Sequence, residues 1–236
     1  MLVRVVDFET TGPQGSEVIE VGLVDIEGDG RDWSVHDPRT ILFRPAEAVP
    51  PAARAVHHIS DTDLAAAEPT SVSAVEAFIR GDGAADLYAA HHAEFERSFL
   101  AELASASWIC TAKAARRAWP QAPGFSNQVL RYWLQLDLDP DLGLPAHRAG
   151  PDAFVTAHIL LQLLQTETIS DLVAWTTQPG VVTFGRHRGR VWAELPSDYL
   201  RWIVEESEMD AARLQLARSE LERRGAPSGV SVTVVA

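Results

Sequence analysis

The feature that most limits what this chain can become is an apolar segment that ends in acid. Leu2-Val3-Arg4-Val5-Val6 runs directly into Asp7-Phe8-Glu9-Thr10-Thr11-Gly12. Val3, Val5 and Val6 have the β-branched character of a strand, and the Thr-Gly that follows reads as its exit turn. Side chains two apart on a strand share a face, so Asp7 and Glu9 stand together with Phe8 on the opposite side. Neighbouring carboxylates repel, and burying them unpaired is costly. A hard divalent cation such as Mg²⁺ or Mn²⁺ relieves both costs. Taken alone, the pair is weak evidence, since most such pairs are solvated strand ends, so the remainder of the chain must decide.

At 236 residues there is room for one large domain, or for a domain of ordinary size with a small appendage. Thr177-Gln178-Pro179-Gly180 is the natural break, which gives a domain over 1–178 and a module over 179–236. No apolar run is long enough to cross a bilayer. With Arg4 and Asp7 inside it, the first apolar segment is not expected to act as a signal peptide. The single cysteine, Cys110, excludes an internal disulfide and a Cys-rich zinc site. The expectation is a cytoplasmic protein without membrane partners.

The formal net charge is −13. That argues against a simple basic nucleic-acid binder. Residues 179–236 carry eight Arg and eight Asp+Glu, so the whole acidic excess lies in 1–178. Bound metal ions can supply the missing local positive charge to such a domain.

The order of elements reads as α/β. After the first strand, the alternation of Ser16–Ile26 predicts a half-buried antiparallel partner, and Thr40–Pro45 a third strand. Ser71–Arg80 reads as an amphipathic helix and Asp86–Ala90 as a strand. Phe95, Phe99 and Leu103, four residues apart, predict a helical stripe with Glu96 beside it. A strand at 108–111 precedes helices near 112–119 and 126–136. Pro151 is expected at the first position of a helix that carries Asp152 at its N-terminus, with His147 in the loop before it. There is no Gly-x-Gly-x-x-Gly, which disfavours a dinucleotide fold.

Asp7/Glu9 on a first strand, Glu96 on a middle helix, then His147 and Asp152 in a loop and helix resemble the DEDD superfamily of 3′→5′ exonucleases, in its histidine-loop branch. The resemblance rests on Asp7–Gly12, Ala90–Leu100 and His147–Ala153, supported by Val56-His57-His58-Ile59, which is similar to that family's Val-His-Gly-Ile. It spans roughly residues 1–165. It implies an RNase H-like mixed sheet with its first three strands antiparallel and helices around it. It also implies two ions, Mg²⁺ or Mn²⁺, held by Asp7, Glu9, Glu96 and Asp152, with His147 as general base and Thr10 near the terminal 3′-hydroxyl. Two positions depart from the family: Glu96 stands where Asp is usual, and His92 where Asn is usual, which leaves His92 a substrate or supporting contact.

The C-terminal part reads as a hairpin over 181–192 followed by helices over 197–206 and 209–224, and resembles a module attached to exodeoxyribonuclease X-like proteins. On a strand, Arg186, Arg188 and Arg190 share one face near Tyr199 or Trp202, a surface suited to single-stranded nucleic acid; an ordinary solvated hairpin edge fits as well. The tail Val230–Ala236 stays open between an edge strand and an unstructured end.

The expected activity is removal of 5′-mononucleotides from the 3′ end of DNA, most simply single-stranded, in a repair or replication setting. An RNA 3′-end trimmer of the same superfamily is the alternative enzyme. A non-catalytic module that binds nucleic-acid ends, or a polymerase-associated subunit, is the alternative of another class.

Overall fold

The computed structural model describes residues 1–225 except Gln14, Arg31, Asp82, Pro179, Ser207 and Asp210; the tail Val230–Ala236 lies outside the described residues. The chain forms two compact units, Met1–Gln178 and Pro179–Ala236.

The first unit is built on a mixed sheet of β1 (Leu2–Thr10), β2 (Val18–Gly28), β3 (Trp33–Val35), β4 (Arg39–Arg44), β5 (Glu68–Pro69), β6 (Leu87–Ala90) and β7 (Trp108–Cys110). The order is β5-β4-β2-β1-β6-β7, with the short β3 also pairing with β2. β1, β2 and β4 pair antiparallel, as expected, whereas β6 and β7 run parallel to β1. The expected half-buried β2 is instead buried over most of its length, Glu20 included. It lies inside the sheet between β1 and β4, with a helix across one face, so even its polar positions leave water.

Helices α1 (Pro51–His57), α2 (Asp61–Leu64), α3 (Val72–Arg80), α4 (Ala93–Arg97), α5 (Thr111–Ala118), α6 (Asn127–Trp133), α7 (Pro140–Gly143), α8 (Ala149–Leu164) and α9 (Ile169–Thr177) surround the sheet. The two faces of β1 enter different cores. Val3 and Val5 pack with α8 residues Val155, Ile159 and Leu163; Val6 and Phe8 pack with Val75 and Ile79 of α3. Asp7 and Glu9 share the parity of Val3 and Val5, so they stand on the α8 side.

Two helices differ from their sequence pattern. The stripe through Phe95, Phe99 and Leu103 is not one helix: α4 stops at Arg97. The buried carboxylate of Glu76 accepts the backbone N–H groups of Ala101 and Leu103 at 2.8 and 2.9 Å, which draws them out of helical pairing. α8 begins at Ala149, two residues before Pro151, because a tertiary partner receives its first N–H: Glu20 Oε2, at 2.9 Å. α8 also crosses β2 in backbone contact. A Cβ on Gly22 would lie 2.0 Å from the Ala149 carbonyl oxygen, so only glycine fits there.

The second unit contains α10 (Ser197–Glu206) and α11 (Ala211–Arg223), with Val182, Trp192, Leu200 and Ile203 in its core. The expected hairpin is reduced to one bridge, Val181 to Val191, closed by a 2.8 Å bond from Val182 N–H to the Arg190 carbonyl. Gly185 and Gly189 take positive φ of 59° and 85°, and Gly185–His187 forms a 3₁₀ turn. Arg186, Arg188 and Arg190 therefore do not share a strand face; they project from an irregular turn and are all exposed.

Candidate functional site

β1 and β6 are parallel, so their carboxyl ends meet at one edge of the sheet. Strand ends of that kind are where open α/β sheets place their ligands. β1 brings Asp7 and Glu9 to this edge, the chain leaving β6 enters α4 with Glu96, and the N-terminal turn of α8 brings Asp152. One ligand oxygen from each of Asp7, Glu9 and Asp152 lies within 4.8 Å of the others. Glu96 is 4% exposed, close enough for its charge to act on Asp7, and its Oε2 is buried without a hydrogen-bond partner.

The electrostatics express the crowding. Burial, then the charges of Asp152, Glu96, Glu9 and Glu20, push Asp7 well above the usual carboxylate range. Burial first, then Asp152 and Glu20, raise Glu9 to about 8, opposed only by the Arg148 guanidinium. Burial raises Glu96 to about 8. Asp152 is raised by burial as well, although the His147 backbone N–H and the Gln128 amide favour its charged form.

Three acids, Asp7, Glu9 and Asp152, meet here, and a fourth, Glu96, acts on Asp7 through its charge and holds a fully buried oxygen that nothing inside the protein satisfies. That donor set fits hard divalent cations, and Asp7, Glu9, Glu96 and Asp152 are the residues able to hold them.

A fifth acid in the group is different. Glu20 lies opposite Glu9 in the β1–β2 register and is 1% exposed. Its carboxylate grips Arg148 in a two-pronged ion pair, with Nε at 2.9 Å from Oε2, and also takes the Ala149 N–H. Its charge is compensated by protein. It acts as an anchor that ties the loop before α8 to β2.

The loop itself places His147. Its side chain is exposed, its backbone sits at φ 60°, and its N–H donates to Asp152 Oδ2 at 2.9 Å. Gln128 on α6 holds the other Asp152 oxygen at 3.3 Å. Thr10 is buried, with its hydroxyl donating to the Gly12 carbonyl, which fixes the turn leaving β1. His92 is exposed as the N-cap of α4, its ring edge-on to His91 at 5.0 Å. His58 ends α1 at φ 61°, a left-handed position that suits glycine. Arg186, Arg188 and Arg190 belong to the second unit.

Sequence reading missed Glu20, Arg148 and Gln128. An acid inside Val18-Ile19-Glu20-Val21-Gly22 was a visible signal for the first, because a charge in a buried strand needs a partner. Gln128 carried none.

The raised carboxyls have a measurable consequence in metal-free protein. Folded Glu9 and Glu96 still hold protons up to about pH 8. The unfolded chain has released them, so it binds fewer protons and stability falls as pH rises. In EDTA the melting midpoint should drop by about 5 °C or more from pH 7 to pH 9. Mn²⁺ at pH 8.5 should restore it, and a flat or rising profile in EDTA would refute this account of the cluster.

Acids converging at the carboxyl edge of a mixed sheet make a candidate divalent-cation site, and comparison with known proteins gives the class of enzyme. The profile of the exonuclease family (RNase_T) matches residues 5–160. Exodeoxyribonuclease 10 of Escherichia coli K12 is 32% identical over 223 residues, covering 91% of this chain and 96% of that protein. A structure of exonuclease X in complex with 5′ overhanging duplex DNA matches with a TM-score of 0.64 at 33% identity, over 74% of this chain and 99% of that one. The nuclease domain of 3′hExo, a DEDDh family member bound to rAMP, matches with a TM-score of 0.53 at 16% identity, over 71% of this chain and 93% of that one; this likeness speaks to the fold alone. The chain belongs to the exonuclease family, and its fold is the RNase H-like one expected from the sequence.

Among the described residues no helix is long and apolar enough to cross a membrane.

Proposed function

We propose that this chain is a 3′→5′ exodeoxyribonuclease that binds DNA with a free 3′ end and releases 5′-mononucleotides in the cytoplasm. Asp7, Glu9, Glu96 and Asp152 hold two divalent ions, Mg²⁺ or Mn²⁺. Bound there, the ions supply the positive charge that stabilises the attacking and leaving oxygens of an in-line displacement at phosphorus. The observation that carries this reading is the cluster of Asp7, Glu9 and Asp152 at the strand edge of an exonuclease-family chain, with the buried, unpartnered carboxylate of Glu96 near enough for its charge to act on Asp7.

His147 has the place of a general base. Imidazole changes charge near neutral pH, and this one faces solvent beside the acids. It takes the proton from water as the new P–O bond forms and the bond to the 3′-oxygen of the shortened strand breaks. The bond from its backbone to Asp152 keeps the base in register with the acidic cluster. Thr10 and His92 border the terminal nucleotide, and the domain over 1–178 carries the whole catalytic set. The module over 179–236 contributes substrate contacts through Arg186, Arg188 and Arg190.

The test is a time course on 3′-labelled and 5′-labelled single-stranded DNA and RNA with Mg²⁺, Mn²⁺ or EDTA. The 3′-labelled DNA should release mononucleotide at once, the 5′-labelled strand should shorten stepwise, and EDTA should stop both. Preferential shortening of RNA would reassign the sugar. Absence of cleavage of either polymer in both metals would overturn the catalytic reading.

A further inference from the structure

An acidic catalytic unit needs its hold on a polyanion from elsewhere, and the second unit has the chemistry for it. Tyr199 and Trp202, one turn apart on α10, stack with ring centroids 5.4 Å apart and planes 21° from parallel. Tyr199 is buried and covers one face of the indole, yet Trp202 remains 41% exposed. Arg186 lies over the Tyr199 ring at 5.2 Å, and the His187 ring meets it edge-on at 4.5 Å. The turn is built to stay there: a Cβ on Gly185 would lie 2.6 Å from the Tyr199 hydroxyl oxygen. The run Thr183–Trp192 contains three arginines and no acid. Among the described residues the ion pairs of this unit join Glu220 to Arg223 and Arg224, and none engages Arg186, Arg188 or Arg190.

An exposed indole held against a second ring, beside uncompensated guanidinium groups, offers a π-surface for a base and cations for phosphates. We propose that the 185–190 turn and the Tyr199/Trp202 pair form a binding site for single-stranded nucleic acid, separate from the acidic cluster, with Trp202 as the base-stacking platform and Arg186, Arg188 and Arg190 as phosphate contacts. Base–aromatic stacking tolerates any sequence, and arginine contacts make binding salt-dependent, so the site grips strands without reading them. The proposal rests on the nucleic-acid reading of the chain and deepens it.

The experiment uses the full chain in EDTA, so that nothing is cut, with a fluorescently labelled 20-nucleotide oligo(dT) followed by anisotropy. Trp202→Ala should weaken binding at least about fivefold. Trp202→Phe, which keeps a ring against Tyr199, should recover most of that loss. Arg188→Glu together with Arg190→Glu should weaken binding further and flatten its salt dependence. Hydrolysis of the p-nitrophenyl ester of thymidine 5′-monophosphate with Mn²⁺, a substrate with a single nucleotide and no strand to grip, should be unchanged in Trp202→Ala and Trp202→Phe. Unchanged oligonucleotide affinity in Trp202→Ala and in the double arginine variant would overturn the site, as would failure of the unaltered chain to bind the oligonucleotide. Loss of ester hydrolysis in the unaltered chain would instead strike the exonuclease reading and leave the binding result to stand.

Discussion

Asp7→Asn should abolish turnover on DNA, by at least about a thousandfold, while making the metal-free protein more stable. The two effects share one cause. Asp7 faces Asp152, Glu96, Glu9 and Glu20, and both burial and those charges resist its ionisation. Asparagine keeps the shape and removes the charge, so the repulsion falls. At pH 8 in EDTA the melting midpoint of the variant should rise by about 2–5 °C above the original. With saturating Mn²⁺ the order should reverse, because the original gains ligand-linked stability that the variant has lost. A variant that cleaves DNA at the original rate would sink the metal-centre reading. A variant less stable than the original in EDTA would show that Asp7 serves the fold, not a cation.

Such opposed effects arise because a binding site is built at a local cost to folding. Cores on either side of β1 absorb that cost: Val3 and Val5 pack against α8 and Val6 and Phe8 against α3, all of them buried. Parallel β6 and β7 then fix the edge at which the acids meet.

How much of this could be read from the chain depends on the range of the interaction involved. Asp7 and Glu9 were legible because strand period alone puts them on one face. His147 and Asp152 were legible because they are five residues apart and joined by a local backbone bond. The end of α4 was not, because it is set by Glu76, 25 and 27 residues from the N–H groups it captures. The arginine turn was misread as a strand because alternation is a strand signal, and the glycines at 185 and 189 override it through positive φ. Glu20 was the largest omission. Its meaning comes from a register with Glu9 and from a partner 128 residues away, neither of which a local pattern contains.

That omission leads to the other large effect. Glu20→Ala should cost about 2–3 kcal/mol of stability, or roughly 5–10 °C in melting midpoint. The figure lies below that for a fully buried pair because Arg148 is 38% exposed and can recover some hydration. The loss has two parts: Arg148 is left facing β2 without its carboxylate, and the Ala149 N–H at the start of α8 loses its acceptor. Both parts loosen the segment that carries His147. Turnover should therefore fall at least about tenfold, in kcat more than in KM, because a base out of place slows chemistry without removing the surface that binds DNA. Glu20→Gln should recover much of the stability, since an amide oxygen can still accept from Ala149 and Arg148. A double-variant cycle separates anchoring from mere destabilisation: if Glu20 works through the loop, its effect on kcat should nearly vanish once His147→Ala has removed the base. Should the two losses instead multiply independently, or should Glu20→Ala melt early yet turn over normally, the anchor would belong to the fold alone and His147 would owe its position to its own bond with Asp152.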